Sequence, residues 1–522
     1  MRVTNSMISN SSRIHITAAK NELMKRENQY TTQKKILRPS DDPTIAIRAL
    51  QLRTTYGKIV QYVSKNVKDA MEWMDTTEGA LEKIQEGLRG IKSRMDYGSQ
   101  DYLGLDERHS VLAEIEKIVE GIFHDNANAD YAGRYMFTGY RTDTSLLFPT
   151  DTKNLEYAIT EGFNSNDIGT IKYVYRDETY MNTNGSAGTA ASDHAGHPPT
   201  QDVAYRLQLA YKNCSDTPSG NLNSGFTGTA AIALTLKDST GNPVTWNPAL
   251  NIVQRSSSDT NAYNVKDPNT GAQNVIYIPE TGEVIFSEAV YQQIQEQFRT
   301  DPESSLDIKY EKSEFEDGDI RPEMYFECDS YDTVTKNSVQ YRSPAGQEIK
   351  YEVNFSQTAT VNVQARDAID TDIYRALDYV RQTVEAMDEI ERKIKDITTQ
   401  ISNTTKPTEI ENLSKLKEIY EQEQKLRVGC MTEAFGMGLT MVENAEKSLN
   451  VAVADLGARM NRVNLTNDKL LDQSIDTEEK LSSNEDIDLA DAYINMNQAD
   501  LLYQAALSAT AKILGNSLLN YI

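Results

Sequence analysis

The last thirty-odd residues, Ile487 to Ile522, constrain the fold more than any other stretch. From Ala492 onward the only charged side chains are Asp500 and Lys512. Placed at 100° per residue, the apolar positions form two separate stripes. Ile487, Ala490, Ile494, Leu501 and Ala505 make one; Met496, Tyr503, Leu507 and Leu514 lie roughly opposite, with Tyr493 at their edge. A helix on the outside of a globular domain needs one apolar stripe, so two predict contacts on both sides. Such a helix is half of an interface.

The other chain end offers a partner. Met1 to Lys35 reads as a helix rich in Asn, Ser and Thr, with apolar marks seven apart: Met7 and Ile14 on one line, Ile16, Leu23 and Tyr30 on another. A seven-residue repeat is the seam of a coiled coil, and such a helix is marginal alone. The charges match as well. Residues 1–38 carry eight Lys and Arg against Glu22 and Glu27, whereas residues 478–500 carry seven Asp and Glu against Lys480. Antiparallel pairing would bring Lys34, Lys35 and Arg38 near Glu485, Asp486, Asp488 and Asp491. Exposed ion pairs contribute only ~0–1 kcal/mol each, so they would select orientation more than stability.

Between the ends the chain is close to symmetrical. Arg38-Pro39-Ser40-Asp41-Asp42-Pro43 predicts a stop at Pro39 and a restart capped by Ser40, Asp41 or Asp42, with Pro43 in the first turn. From Ile45 to Met95 apolar residues recur in steps of three and four, which at ~1.5 Å rise gives a rod of about 75 Å. Asp96 to Ser99 breaks it, and a shorter amphipathic helix follows with Leu112, Ile115, Val119 and Ile122 on one face. Gly133 to Phe148 changes to a period of two and predicts a β-hairpin. Eleven of the fourteen prolines then fall between Pro149 and about Thr360. Short alternating runs there (Ile171–Tyr175, Ala231–Leu236, Val275–Ile278), turns at Asn269–Gly271 and Glu280–Gly282, and a helix at Ser287–Phe298 predict a β-rich insert; Asn182 to Pro199 reads as a flexible loop. Helical periodicity returns at Ile369. Pro407 interrupts it, Gly436 and Gly438 allow a bend, and Leu439 starts another long helix. The fold class is therefore mainly α with a β-rich insert.

Composition excludes several functions. A net charge of −25 argues against nucleic-acid binding, which needs basic surface to neutralise phosphates. Cys214, Cys328 and Cys430 are too few and too far apart for a disulfide framework or a zinc motif. No apolar run reaches the ~18 residues of a membrane span. The N-terminus lacks the apolar core of a secretory signal, which predicts a cytoplasmic protein or another export route. His194 and His197 have a spacing that could reach one metal, but no third ligand is nearby. The acidic run Asp301–Asp332 lacks the alternating carboxylates of an EF-hand. Gly220–Gly228 lacks the ending of a phosphate-binding loop, and no GxSxG occurs. No catalytic site, cofactor site or metal site is expected.

Three motifs carry a family resemblance: Arg38-Pro39-Ser40-Asp41-Asp42-Pro43; Gly133-Arg134-Tyr135-x-Phe137-x-Gly139-Tyr140; and Gly457-Ala458-Arg459-x-Asn461. With the closing Ser517 to Ile522 they make the chain resemble the flagellin-like junction proteins of bacterial flagella, the hook-associated protein 3 family. The family often carries Gly shortly before the Lys/Arg preceding the break, where this chain has Gln33. The charged helix Thr408–Met431 looks like an extension.

The resemblance implies a non-enzymatic axial component of the flagellum. It implies partners in hook-associated protein 1, flagellin, further copies of itself and a cytoplasmic export chaperone, with export unfolded through the flagellar type III apparatus to the cell exterior. It also implies three nested layers: residues 1–43 with 483–522 as a terminal coiled coil, 44–148 with 363–482 as an elongated helical bundle bearing the hairpin 133–148, and 149–362 as a variable outer domain. Axial polymer contacts are expected from Met7, Ile14, Ile16 and Leu23 against Ile494, Leu501, Leu507 and Leu514. The stripe containing Ile494 is expected to meet the chain's own first helix and the stripe containing Met496 and Tyr503 a neighbour, with the reverse assignment left open. Two alternatives stand beside this reading: filament flagellin itself, and a secreted adhesin or hydrolase carried by residues 149–362 on a helical stalk.

Overall fold

The structure is a computed structural model of the chain and describes residues 5–176, 198–222, 225–226, 230–247, 249–259, 262–265, 275–342 and 345–519. In chain order the helices are α1 (Asn5–Thr32), α2 (Pro43–Gln61), α3 (Lys68–Gly98), α4 (Leu105–Glu120), α5 (Glu288–Thr300), α6 (Pro322–Tyr325), α7 (Ala365–Ala368), α8 (Asp372–Asn403), α9 (Pro407–Glu485) and α10 (Leu489–Leu519). The strands are β1 (Asp130–Tyr131), β2 (Arg134–Tyr135), β3 (Leu155–Phe163), β4 (Gly169–Tyr175), β5 (Thr200–Gln208), β6 (Ile232–Lys237), β7 (Ile252–Gln254), β8 (Val275–Ile278), β9 (Glu283–Phe286), β10 (Ser305–Lys312), β11 (Glu327–Asp332), β12 (Ser338–Tyr341), β13 (Lys350–Asn354) and β14 (Gln357–Thr360). Two compact units result. The first comprises Met1–Met71, Lys350–Ala359 and Met460–Ile522; the second comprises Glu72–Ile349 and Thr360–Arg459. Residues 44–71 and 460–482, read from the sequence as part of the rod, thus fall in the same unit as the terminal helices.

In the first unit α2 starts where the sequence demands. The Asp42 carboxylate accepts from the backbone N–H groups of Thr44 and Ile45, satisfying donors that the first turn leaves open, and Pro43 has no N–H to lose. The following π-helical turn, Tyr62–Val67, carries the hairpin β13–β14. The Tyr62 hydroxyl donates to Glu352 at 2.9 Å, the Asn66 amide to the Glu352 carbonyl at 2.8 Å, and the Tyr62 and Phe355 rings meet edge to face at 5.3 Å.

The second unit has a helical layer and two sheets. Leu81, Ile84, Leu88, Ile91 and Met95 of α3 are buried, as are Ile115 of α4, Val380 and Val384 of α8, and Val442 and Leu449 of α9. Polar links flank these cores: Lys92 to Glu446 at 2.8 Å, His109 to Asp388 at 2.7 Å and Arg381 to Glu116 at 3.0 Å. One sheet is antiparallel throughout, in the order β12-β11-β3-β10-β6; the other runs β4-β5-β9-β8-β7 with only β7 and β8 parallel. The second sheet packs Ile171, Ala204, Ile276, Ile278 and Ile285 into one core with Tyr379 of α8 and Ala434 of α9. Helix α5, capped by Ser287, sits where the sequence places it.

Three local expectations are corrected. The first helix stops at Thr32 and not at Pro39, because Gln33 turns into the left-handed region at φ +58°. The hairpin expected over Gly133–Phe148 does not form within that range: β1, which precedes it, pairs with β2, and Ala132 and Gly133 at φ +52° and +77° make the two-residue turn, both centres left-handed. Residues 136–148 instead follow turns and an isolated bridge from Leu147 to Ile320. Leu439 starts no new helix, for α9 runs through Gly436 and Gly438 as one helix of 79 residues. A Cβ at 438 would meet the Met95 Cε and Sδ at 3.2 Å, so that glycine serves close helix approach. The turn expected at Asn269–Gly271 and most of the loop Asn182–Pro199 lie outside the described residues.

Candidate assembly surface

The first and last helices pack on each other. Along α1 the inward positions step by four and three: Ser12, Ile16, Ala19, Leu23, Arg26 and Tyr30, of which Ser12 is buried and the rest half-buried. Along α10 the same step picks out Ala492, Met496, Ala499, Tyr503, Ala506 and Thr510, with Ala492 and Ala499 buried and the others half-buried. That alternation is a heptad seam. Three alanines on one side let the two backbones come close, and the Tyr30 and Tyr493 rings meet at 5.9 Å near its end.

Below the seam both helices break side by side. Left-handed Gln33 turns its carbonyl to the Ile487 N–H at 3.0 Å, and the Lys35 N–H donates to the Glu485 carbonyl at 2.7 Å, forming an antiparallel bridge between Lys34 and Asp486. The Lys34 ammonium pairs with Asp486 and lies 3.6 Å from Glu485, whose carboxylate is almost fully buried and also receives Arg53 at 2.6 Å. The hydrogen bond to Asp486 raises the Lys34 pKa despite partial desolvation, and hydrogen bonds from Lys34 and Ser482 lower that of Asp486. Asp41 accepts from the Leu37 and Arg38 N–H groups, the latter bond chiefly lowering its pKa. Asp488 starts α10 by accepting from Ala490 and Asp491 N–H groups. Of the charge pairs expected from sequence, Lys34 with Glu485 and Asp486 forms. The Lys35 ammonium reaches the Ser483 carbonyl at 2.5 Å, Arg38 makes no ion pair among the described residues, and Asp488 acts as a cap.

Away from the seam several large apolar side chains are left exposed. Met7 and Ile14 of α1 are 63% and 60% exposed, and Ile494 and Leu501 of α10 are 51% and 64% exposed; Leu507 and Leu502 are exposed beside them. Ile487 is half-buried, and the Leu514 side chain lies outside the described residues. The stripe assignment expected from sequence is reversed: Met496 and Tyr503 turn inward, while Ile494 and Leu501 face out. Buried alanines decide this, because Ala492 and Ala499 lie in line with the first set.

The remaining motif residues sit in the second unit or on α9. The Phe137 carbonyl accepts from the Ala365 N–H at 2.9 Å and its ring is buried, whereas Tyr140 is exposed and its N–H donates to Gln347 at 2.9 Å; Gly139 sits at φ +63°. Arg459 donates to the Asn362 carbonyl at 3.0 Å and pairs with Asp455, and Ala458 and Asn461 are exposed. Among the described residues no three His, Cys, Asp or Glu side chains could hold a metal ion, and no helix is long and apolar enough to cross a membrane. His194 and His197 lie outside them.

Residues 3–142 match the bacterial flagellin N-terminal helical region, and residues 439–522 match the bacterial flagellin C-terminal helical region. Both terminal regions of the chain are therefore similar to those of bacterial flagellin. Over 145 residues it is 28% identical to flagellar hook-associated protein 3 of Escherichia coli (strain K12) and 26% identical to that of Salmonella typhimurium. Each alignment covers 28% of this chain and 45% of the relative, so less than half of those relatives' length is spanned. Among solved structures, the flagellar junction protein FlgL from Legionella pneumophila aligns with 80% of this chain and 99% of its own, at 12% identity and a TM-score of 0.29, which is too low to support any inference. Sequence reasoning about this flagellin-like chain missed Arg53 and Gln29 at the joint. Arg53 lies on the rod stretch, and Gln29, which donates to the Lys35 carbonyl at 2.6 Å, carries no charge to draw notice.

Proposed function

We propose that this protein is a non-enzymatic structural subunit of the bacterial flagellum that joins the hook to the filament. The reading rests on the apolar outer face of the terminal helix pair: Met7, Ile14, Ile494, Leu501 and Leu507 stay exposed after α1 and α10 have covered each other. Burying a large apolar side chain contributes ~1.5–3 kcal/mol before ordering costs, so several together can drive polymerisation. The surfaces that would cover them are further copies of this chain, hook-associated protein 1 on one side and flagellin on the other. A cytoplasmic export chaperone would shield the same face before passage through the flagellar type III apparatus to the cell exterior. The layers inferred from sequence serve this reading, with the terminal helices as the axial layer and residues 149–362 outermost.

Immunolabelling of intact cells tests it. The expected result is a band at the filament base; label along the whole filament would make the chain a filament flagellin instead. A truncation removing Asn495–Ile522 is expected to abolish filament attachment. Attachment that survives the truncation would remove α10 from the assembly contact.

A further inference from the structure

Apart from the terminal helices, the first unit leaves a second set of large apolar side chains in water, on α2 and on residues 465–479 of α9. Each helix buries one line: Ala49 and Ile59 on α2, and Val463, Leu470 and Thr477 on α9. Opposite those lines, at 100° per residue, stand Ile47, Leu50, Thr54 and Lys58 on α2, and Leu465, Asp468, Asp472 and Ile475 on α9. Ile47, Leu50, Leu465 and Ile475 are each more than half exposed. Apolar residues scattered singly over a surface need no partner, but two such lines on ordered helices mark an interaction face.

The two faces differ in charge. Helix α2 carries Arg48, Arg53 and Lys58 and no Asp or Glu; Arg53 is held by Glu485, and Arg48 and Lys58 are exposed. Residues 465–479 carry five Asp and Glu against Lys469. Asp476 pairs with Lys480 at 2.5 Å, whereas Asp468 and Asp472 on the outer line make no ion pair among the described residues. The spacing matches too. Leu50 and Lys58 are eight residues apart, about 12 Å along a helix, and Asp468 and Ile475 are seven apart, about 10.5 Å. Antiparallel helices can therefore set Leu50 on Ile475 and Lys58 on Asp468 at once, with Thr54 opposite Asp472. One chain cannot make this contact with itself. Its own α2 and α9 are joined along their inner lines, by Asn484 to the Ile45 carbonyl at 3.1 Å and by Arg53 to Glu485 at 2.6 Å, so the outer faces look away from each other.

We propose that the outer face of α2 binds the outer face of α9 on a second copy of this chain, antiparallel, with Leu50 against Ile475 and Lys58 paired to Asp468. Because the two faces are unlike and look in opposite directions, the contact is head to tail. A pair of copies still has one α2 face and one α9 face free, so further copies add into a ring or a helical row. Apolar burial holds the contact and the charges set its direction, since α2 against α2 would bring like charges together. The proposal rests on the reading of the chain as an assembling subunit and adds a contact that the terminal helix pair does not supply.

Disulfide trapping in intact flagellated cells tests it, with the full chain carrying Leu50→Cys and Ile475→Cys. Cys214, Cys328 and Cys430 are buried, so the parent chain gives a background without cross-links. Mild copper-catalysed oxidation is expected to yield a ladder of dimer, trimer and higher species that collapses on reduction, and Leu50→Cys alone to yield monomer. Thr54→Cys with Asp472→Cys is a second trap one turn along, expected to give the same ladder. Adding Lys58→Glu to the first trap should weaken the ladder by about fivefold or more, and adding Asp468→Lys to that should restore it. All these positions are exposed, and thermal unfolding of each variant verifies that the fold is kept. No ladder from either trap, a product that stops at dimer, dimer from Leu50→Cys alone, or a ladder indifferent to Lys58→Glu would overturn the proposal. Immunolabelling of the same cells keeps the two readings apart: a chain at the filament base without a ladder loses only this contact, and a chain with a ladder found elsewhere loses only the junction role.

Discussion

Lys34 and Asp486 face each other across the joint where both terminal helices break, and the backbone on either side of them is hydrogen-bonded in register. The pair holds two chain ends 452 residues apart in sequence at one point. Its charges are complementary over a wide pH window. The raised Lys34 pKa makes its contribution complete below the ordinary value of 10.5 and lost as pH rises through the folded value above that. The lowered Asp486 pKa makes its contribution present above the ordinary 3.8 and lost as pH falls through the folded value below that. Lys34→Glu is expected to destabilise the first unit by about 1 kcal/mol, discounted for the partial exposure of both partners. Adding Asp486→Lys should recover most of that. Urea unfolding followed by circular dichroism measures both, and a double variant no better than the single would contradict the pairing.

Gln33 adopts φ +58°, a conformation that costs an L-residue roughly 1 kcal/mol or more and glycine almost nothing. Its side chain is exposed, so its removal loses no packing. Gln33→Gly is expected to stabilise the first unit by about 0.5–1 kcal/mol after the entropic cost of glycine in the unfolded chain. Gln33→Val should cost more than 1 kcal/mol, roughly, because β-branching penalises that region further. Equal melting temperatures for the three proteins would refute the strain.

Gly436 and Gly438 lie two residues apart within α9 but in different surroundings. Nothing lies within 4 Å of a Cβ at 436, so Gly436→Ala should stabilise by about 0.5–1 kcal/mol through helix propensity alone. Gly438→Ala must displace the end of Met95 and should lose about 1 kcal/mol relative to it. Equal effects of the two substitutions would contradict the close approach at 438. Thermal melts of the two single variants decide the matter.

These elements also show how far the residues speak for themselves. Periodicity marks helices well, because burial of a face repeats along them: α2, α3 and α8 lie where apolar steps of three and four place them. Glycine speaks less clearly, since the same residue serves a left-handed turn at 133 and close helix approach at 438. Gln33 stands where the resemblance leads one to expect glycine nearby, yet its conformation goes with the hydrogen bond its carbonyl accepts from the Ile487 N–H and has no local signal. On α10 both stripes are apolar, so hydrophobicity could not tell inward from outward. The small size of Ala492 and Ala499 does, because only small residues let α1 approach. Arg375 and Glu161 meet at 2.8 Å although they are 214 residues apart, and no motif links them.

Asp370 offers a test of buried charge in the second unit. Its pKa is raised by burial first and by Asp372 second, so the folded chain binds protons more readily than the unfolded chain. Stability from this group therefore falls as pH rises from the ordinary value of 3.8 through the raised folded value. Asp370→Asn keeps an acceptor for the Asp372 N–H, now 3.1 Å away. It is expected to stabilise the second unit at pH near 7 and to be neutral once pH falls below about 4. Denaturant titrations at the two pH values check this, and a gain that persists undiminished in acid would point to a cause other than the charge.

The outward face of α10 can be tested without disturbing the seam. Leu501 is 64% exposed and Ile494 51%, so Leu501→Glu with Ile494→Glu removes little native packing and should change monomer stability by no more than about 0.5 kcal/mol. In an assembly the same carboxylates would be desolvated against apolar neighbours, at a cost of several kcal/mol, roughly, for each unpaired charge. Assembly is therefore expected to fail while folding survives. Tyr503→Glu, on the half-buried side with Met496, should instead loosen α10 from α1 within the monomer. Hydrogen exchange of the isolated chain and filament attachment in cells separate the two effects. The first variant should show wild-type exchange with no attachment, and the second faster exchange along both terminal helices. A doubly substituted outer face that still attaches filaments would mean that Ile494 and Leu501 stay in water after assembly.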